Sequence, residues 1–293
     1  MNRSLVCLLL LPMFWFVSCK PDPLETTVSP VDAKMVINSL ITPDNSLWIS
    51  VTNSNVPLPV AGTSLQALGD FIKTISVNDA IVTLTVNHHT DTLRLESPGM
   101  YTADSFPVIP GSVYLLTVFR PSSGETAFAF SRMPATSKIT EYRAWIKPGP
   151  KNNLCVDVTF EDNNKTTDYY IASYLGDDLR DWKENPVQLL GLFLSHRSDF
   201  DLVNDEKQTA GLIHISKTLP AEYLRDTLTV LISPTEEGYY RFLEQNKHSG
   251  GLISQLAGEV VRYNSNVQGG YGYFSMRLSD VVRIPPSAFA AVK

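Results

Sequence analysis

Apolar residues in this chain come in short runs that favour strands. From Lys34 onward the runs are about four to eight residues long, many alternate with polar residues, and Gly, Pro, Asn and Asp separate them. This pattern predicts a mainly β protein. The predicted strands are Met35–Ile41, Leu47–Val51, Ala80–Val86, Leu93–Leu95, Val113–Phe119, Ala127–Phe130, Ile139–Ile146, Leu154–Phe160, Tyr169–Leu175, Leu189–Leu194, Leu212–Ser216, Leu228–Ile232 and Tyr273–Leu278.

The length of the chain favours two β-sandwich-like domains in tandem. With 293 residues it exceeds what one core usually organises. The segment Met133-Pro134-Ala135-Thr136 interrupts the strand pattern and is the predicted boundary. Residues 34–135 are predicted to form an immunoglobulin-like sandwich, because Pro110-Gly111 and the strand after it are typical of its turn and returning strand. Residues 136–293 are predicted to form a second β-rich domain with one helix.

That helix is predicted near residues 234–248. Ser233-Pro234-Thr235-Glu236 combines an N-cap residue, a proline at the first helical position and an acidic residue three places after the cap, which is a capping box. Tyr239, Tyr240, Phe242 and Leu243 supply an apolar face. Gly250-Gly251 is the predicted stop.

A long insert, Asn53 to Asp79, separates two predicted strands and contains Pro57, Pro59 and Gly62. Long loops inside compact domains are often functional. The insert is therefore a candidate contact surface, and a flexible insert without function is an equally weighted alternative.

The first residues of the chain resemble a bacterial lipoprotein signal. Arg3 precedes an apolar run of about thirteen residues, shorter than the roughly twenty needed to span a bilayer. Ser18-Cys19 then resembles a lipobox, although Phe16 stands where Leu is usual. We expect residues 1–18 to be cleaved, Cys19 to be acylated, and the proline-rich residues 19–33 to be a flexible tether. Simple secretion and an uncleaved anchor are the alternatives.

Charge and cysteine usage exclude some classes of protein. The net charge of −6, without any run of Lys or Arg, argues against a nucleic-acid-binding protein. Membrane attachment is therefore expected to come from the lipid on Cys19. Cys155 has no partner for an internal disulfide once Cys7 and Cys19 are set aside, and its apolar neighbours predict a small buried side chain.

No catalytic, cofactor-binding or metal-binding residues are predicted. The five histidines lack metal-site spacing, although the adjacent His88 and His89 would allow a site through a turn. Asp199-Phe200-Asp201 fails the EF-hand pattern, so we interpret it as part of a solvated acidic loop, with an irregular calcium site as the alternative. Gly269-Gly270-Tyr271-Gly272 lacks the context of a phosphate loop, so its glycines are expected to permit a tight backbone path. The chain is therefore predicted not to be an enzyme.

Several segments, in order, resemble the domain-of-unknown-function 4249 family of Bacteroidota lipoproteins. The segments that carry the resemblance are Met35–Leu40, Asn78–Leu84, Pro110-Gly111 with Tyr114-Leu115, Val158–Asp162 with Tyr169-Tyr170, and Ser233–Leu243 with Asn266–Phe274. Members are typically outer-membrane lipoproteins, often encoded beside a TonB-dependent receptor. The resemblance transfers only Cys19, as the lipid site, and no ligand-binding residue.

The expected function is that of a non-enzymatic accessory lipoprotein, anchored in the outer membrane, that serves a TonB-dependent receptor or a nutrient uptake system. A structural or adhesive surface protein is the alternative, and a glycan-active hydrolase with two loop carboxylates is a distant third. Asp91-Thr92-Leu93 and Asp226-Thr227-Leu228 also resemble the O-glycosylation sequon of this phylum.

Overall fold

The structure, a computed structural model, describes residues 33–42, 44–54, 65–103, 105–149, 152–163, 166–176, 199–206, 211–247 and 264–291. These residues are mainly in strands, as predicted. The elements are β1 Met35–Ile41, β2 Leu47–Asn53, α1 Leu65–Ile75, β3 Ile81–Val86, β4 His89–Ser97, β5 Met100–Thr102, β6 Val113–Arg120, β7 Glu125–Arg132, β8 Ile139–Lys147, β9 Asn153–Glu161, β10 Tyr169–Leu175, β11 Asp199–Asn204, β12 Leu212–Leu219, β13 Leu228–Thr235, α2 Glu237–Lys247, β14 Val267–Gln268, β15 Tyr271–Tyr273, β16 Asp280–Ile284 and β17 Ala290–Ala291.

Nine strands form one large sheet in the order β14-β7-β6-β3-β4-β5-β2-β1-β15. Strand β4 joins its two halves, because the first part of β4 pairs with β3 and the last part pairs with β5. A register shift between Leu95 and Ser97 lies in the second part. The two layers expected of an N-terminal sandwich are thus continuous through β4.

The sheet closes almost completely because its two edge strands, β14 and β15, are neighbours in sequence and are separated only by residues 269–270. Strand β14 pairs with β7, and β15 pairs in parallel with β1. Gly272 in β15 has φ +96°, and a Cβ there would lie 2.0 Å from the carbonyl oxygen of Ile37. The tight backbone path predicted for the Gly-rich segment is therefore confirmed, since only glycine allows this approach.

Side chains bond the returning segment to the rest of the sheet. Asn266 donates to the carbonyls of Phe130 and Phe274 and accepts from the backbone N–H of Phe274. Ser39 Oγ accepts from the N–H of Ser275 and donates to its carbonyl. The residues after β15 do not belong to a regular strand, and these side-chain contacts provide hydrogen-bond partners for their backbone N–H and C=O groups.

The core of the large sheet follows from alternation along its strands. In β6 the side chains of Tyr114, Leu116 and Val118 are buried while the residues between them are more exposed. Two buried tyrosines fasten loops to this core. Tyr101 Oη donates to the carbonyl of Val77, and Tyr114 Oη donates to the carbonyl of Pro107.

The second half of the chain supplies two four-stranded sheets, β11-β10-β13-β16 and β12-β9-β8-β17. Leu154, Phe160 and Ile213 from one sheet and Tyr174 and Val230 from the other belong to one buried cluster. This arrangement agrees with the predicted sandwich-like second half.

The predicted helix of the second half exists, but its predicted N-terminus is wrong. Strand β13 continues through Thr235 and pairs with β10 at Ser233 and Pro234, so α2 begins only at Glu237. Glu236 does not close a capping box. Its carboxylate instead accepts hydrogen bonds from Ser131 Oγ and from the backbone N–H of Arg132.

The long insert is not a plain loop, because α1 lies within it. Ile72 and Ile75 of this helix are buried. Leu65, Leu68, Ile72 and Ile75 are spaced three or four residues apart, and this spacing is the sequence signal that could have predicted α1. Residues 55–64 of the insert lie outside the described residues.

Other predicted elements differ in part from the structure. Residues 199–204 form β11 and not a solvated loop, because they pair with β10 along their whole length. The predicted strand Tyr273–Leu278 ends at Tyr273, and the short strands β5, β14, β16 and β17 were not predicted. The prediction for Leu189–Leu194 falls outside the described residues.

Residues Ala33–Lys293 form one compact unit. The large sheet includes β14 and β15 from the second half of the chain, although most of its strands precede residue 135. The division into domains 34–135 and 136–293 therefore stays a prediction. Among the described residues, no helix has the length and apolar character needed to cross a membrane.

Candidate interaction surface

The outward side of β3, β6 and β7 presents a row of exposed and half-buried apolar side chains, which we call the β3–β6–β7 face. Its members are Ile81, Val113, Leu115, Phe119, Phe128 and Phe130. Phe130 is 51% exposed and Ile81 49%. Single exposed apolar residues are normal on protein surfaces, whereas contiguous ones mark interaction sites.

The strand register makes the β3–β6–β7 face contiguous. Ile81 lies directly opposite Phe119, and Leu115 lies directly opposite Phe130. The rings of Phe128 and Phe130 meet edge to face with centroids 6.1 Å apart. Directly paired residues of antiparallel strands share one side of the sheet, so these side chains form one surface.

The charges at the two ends of the face differ. Near Phe119, the guanidinium of Arg120 lies 3.3 Å from Asp79 and 3.7 Å from Glu125, so its charge is balanced. At the other end Arg132 is exposed, and its Nη1 atom donates to the carbonyl of Gly111. No acidic side chain of the described part forms an ion pair with Arg132. The face is thus apolar with one unbalanced positive charge at its edge.

His88 and His89 lie at the hairpin turn between β3 and β4. Asn87 and His88 have φ values of 47° and 68°, as a two-residue hairpin turn requires. His89 Nε2 lies 3.0 Å from Asp91 Oδ1. Within the described ranges, no group of three or more His, Cys, Asp or Glu side chains is arranged to hold a metal ion.

The acidic residues near β11 have structural contacts. Asp205 is buried, and its Oδ1 accepts a hydrogen bond from the backbone N–H of Asp168. Burial, together with the charges of Asp162 and Asp205, raises the pKa of Asp168. Tyr170 donates a 2.7 Å hydrogen bond to Asp162, and burial followed by this contact raises the pKa of Tyr170. These groups hold two loops together beside β10.

Many aromatic residues of the second half pack around α2. Tyr239, Phe242 and Tyr273 form one buried cluster with ring centroids 5.1 to 6.0 Å apart. Arg241 lies over the rings of Tyr169 and Tyr240 at 5.9 and 5.7 Å. The two segments with the strongest family resemblance, Ser233–Leu243 and Asn266–Phe274, therefore meet in the structure.

The other singled-out residues have the following places. Cys155 is a buried free cysteine, as predicted. Thr92 is exposed on β4, and Thr227 is half-buried. Glycosylation of these two threonines stays a prediction. Cys19 lies outside the described residues.

The β3–β6–β7 face was not predicted from the sequence. The signal was available, because Ile81, Phe119 and Phe130 occupy the outward positions of alternating strands. Alternation alone does not distinguish these residues from the single apolar residues that are normal on a protein surface. Several outward apolar residues indicate an interaction surface only when the order of the strands brings them together.

Comparison with known proteins supports the resemblance noted in the sequence. The model of one protein family, described as a domain of unknown function (DUF4249), matches residues 21–279. No curated protein matches the chain. Because the match covers most of the chain, the protein belongs to the DUF4249 family.

Proposed function

We propose that this protein is a non-enzymatic outer-membrane lipoprotein, anchored through acylated Cys19, that binds a TonB-dependent receptor as an accessory of nutrient uptake. The observation that supports this proposal is the β3–β6–β7 face. It is a contiguous apolar surface on a sheet of a chain that carries a lipoprotein-like signal.

A protein surface is the partner that fits this face best. Phenylalanine side chains give a large apolar contact with little loss of side-chain freedom, and such residues are enriched in protein interfaces. Thr83 and Thr117 lie in the same rows and provide hydroxyl groups for polar contacts. The unbalanced Arg132 at the edge calls for an acidic group on the partner.

The acidic clusters of the described part support a binding role over a hydrolytic one. Asp168 and Asp205 are joined to each other through a backbone hydrogen bond, and Asp162 accepts from Tyr170. Carboxylates in these positions stabilise loops, whereas a glycosidase needs two of them on opposite sides of a substrate.

The test is affinity purification of the tagged, lipidated protein from gently solubilised outer membrane, followed by mass spectrometry. We expect a TonB-dependent receptor in near-equal amount. Phe130→Asp should remove it, because truncating a central aromatic contact typically weakens binding by about thirtyfold or more. Tyr142→Asp, which changes an aromatic residue of β8 that is 52% exposed, is the matched control and should retain the receptor.

Two outcomes would count against the proposal. Recovery of the protein without a receptor, together with weakened cell attachment in a deletion strain, would favour the structural or adhesive alternative. Equal receptor recovery with Phe130→Asp and wild type would leave the receptor as a partner but reject the β3–β6–β7 face as its contact.

A further inference from the structure

Strand β12 forms an edge of its sheet. In the order β12-β9-β8-β17, its eight residues Leu212–Leu219 pair with β9 on one side, and no described strand pairs with the other side. An antiparallel edge of this length presents about eight backbone N–H and C=O groups away from its neighbour. These groups can pair with a further strand.

The outward side chains of β12 bond to β9 and therefore do not cover this edge. Ser216 Oγ donates a 2.6 Å hydrogen bond to Asp157 Oδ1. His214 Nδ1 lies 3.1 Å from Thr159 Oγ1. Both Asp157 and Thr159 belong to β9, so these contacts hold the side chains of β12 over their own sheet.

The edge of β7 shows how side chains protect backbone groups elsewhere in this fold. Beyond the two residues that pair with β14, Asn266 donates to the carbonyl of Phe130, and Glu236 accepts from the N–H of Arg132. Strand β7 is therefore capped by polar side chains in addition to β14, whereas the described bonds of the outward side chains of β12 point away from its edge.

Strand β12 also lacks the sequence features that usually block edge pairing, which are prolines, bulges and outward charges. It contains no proline, and its register with β9 is unbroken. Its lysine, Lys217, lies on the core side, where Nζ is 2.8 Å from Asp201 and 5.7 Å from the ring centroid of Tyr174. The edge strand β11, by contrast, carries Asp199 and Asp201, whose like charges oppose pairing with a second β11.

The side chains of β12 complement a second copy of the same strand. A two-fold axis at Ile215 pairs two antiparallel copies along their whole length and places Ile215 opposite itself on the core side. Ile215 is half-buried and packs against the core cluster, so its contact is apolar. On the outward side, Leu212 lies opposite Thr218 in this register, which covers a leucine that is 47% exposed.

We propose that β12 is the interface of a homodimer, in which two copies pair antiparallel about Ile215 and extend the β12-β9-β8-β17 sheet to eight strands. Main-chain hydrogen bonds hold such a strand addition together, and the side chains fix its register. The β12 edge belongs to a different sheet from the β3–β6–β7 face. The inference therefore does not depend on the proposed receptor contact.

The test is analytical ultracentrifugation of the full-length protein in mild detergent over a range of concentrations. We expect the protein mass to double as the concentration rises, because dimerisation follows mass action. Phe130→Asp should dimerise as the wild type does, since Phe130 lies on the other sheet. A wild type that stays monomeric at every concentration overturns the proposal, and a different protein bound to that monomer would mean that a partner's strand occupies the edge.

Two double variants test the pairing itself. Leu212→Lys combined with Thr218→Lys places lysines directly opposite each other between the copies and should abolish the dimer, because like charges opposite one another destabilise strand pairs. Leu212→Lys combined with Thr218→Glu is the matched control. It changes the same two exposed positions but places opposite charges together, so it should dimerise at least as well as the wild type.

The two double variants differ only in the side chain at position 218, so a difference in mass between them reports the contact between copies. Their melting temperatures, measured at a concentration where both are monomeric, check that both fold. The proposal is overturned if the double lysine variant dimerises like the wild type, or if the lysine–glutamate variant is as monomeric as the double lysine variant.

Discussion

Ser131 Oγ donates a 2.6 Å hydrogen bond to Glu236 Oε2 and so links the end of β7 to the residue before α2, across 105 positions of sequence. The same Ser131 Oγ accepts from the backbone N–H of Met276. Ser131 thus joins the large sheet, the start of α2 and the segment that follows β15.

Removing the carboxylate of Glu236 should destabilise the protein. We expect Glu236→Ala to lower the free energy of unfolding by about 2 kcal/mol, because hydrogen bonds to a charged group contribute about 1.5–3 kcal/mol. Urea unfolding measures the change. Glu237→Ala is the control. Glu237 is exposed, and its carboxylate forms a surface ion pair with Arg241 at 3.6 Å. Surface ion pairs contribute little to stability, so the effect of this variant should stay within about 0.5 kcal/mol. Equal effects of the two variants would contradict this role.

Gly272 should not tolerate a side chain. A Cβ at this position would lie 2.0 Å from the carbonyl oxygen of Ile37, in addition to the strain of a φ of +96°. We expect Gly272→Ala to lower the free energy of unfolding by about 3 kcal/mol or more.

Gly111→Ala separates these two causes. Gly111 has φ +81° but no atom within 4 Å of a built Cβ, so only backbone strain applies and a loss of about 1 kcal/mol is expected. Denaturant unfolding of both variants gives the comparison. A Gly272 variant no less stable than the Gly111 variant would show that β1 and β15 separate easily.

Stability should fall in alkaline solution because of Tyr273. Burial, then the charges of Glu236 and Tyr239, raises the pKa of Tyr273 to about 12, whereas an unfolded tyrosine ionises near about 10. Below pH about 10 the hydroxyl is neutral in both states, so its contribution is fully present. Between pH about 10 and 12 only the unfolded state loses the proton, so the free energy of unfolding decreases.

Urea unfolding from pH 8 to about 11 measures this effect. We expect a smaller decrease in Tyr273→Phe than in the wild type, whereas Tyr142→Phe, which changes an exposed tyrosine, should behave as the wild type. Identical pH dependence of the wild type and Tyr273→Phe would exclude Tyr273 as a source of the alkaline decrease.

Membrane attachment should depend on Cys19. We expect Cys19→Ala to leave the membrane fraction, because the lipid is the proposed anchor. Fractionation of cells by ultracentrifugation measures this. Cys155→Ala, which removes a buried cysteine, should still sediment with membranes. Continued sedimentation of Cys19→Ala would reject Cys19 as the lipid site.

Most local elements of this protein could be predicted from the amino-acid sequence alone. Alternation predicted most strands of the large sheet, because one side of each strand packs on the core while the other is less covered. The glycines near Gly272 predicted a close backbone approach, since they lacked the context of a ligand loop. Cys155 was predicted to be buried from its neighbours alone.

The way in which distant segments combine became visible only in the folded chain. The capping box at Ser233 was wrong because β13 pairs with β10 through Thr235 and Glu236 bonds to Ser131. The acidic residues from Asp199 form a strand because β10 offers them a partner. Local periodicity carries no information about which strand lies next to which. The β3–β6–β7 face arises from such long-range pairing, so the outward apolar positions of single strands did not by themselves identify it.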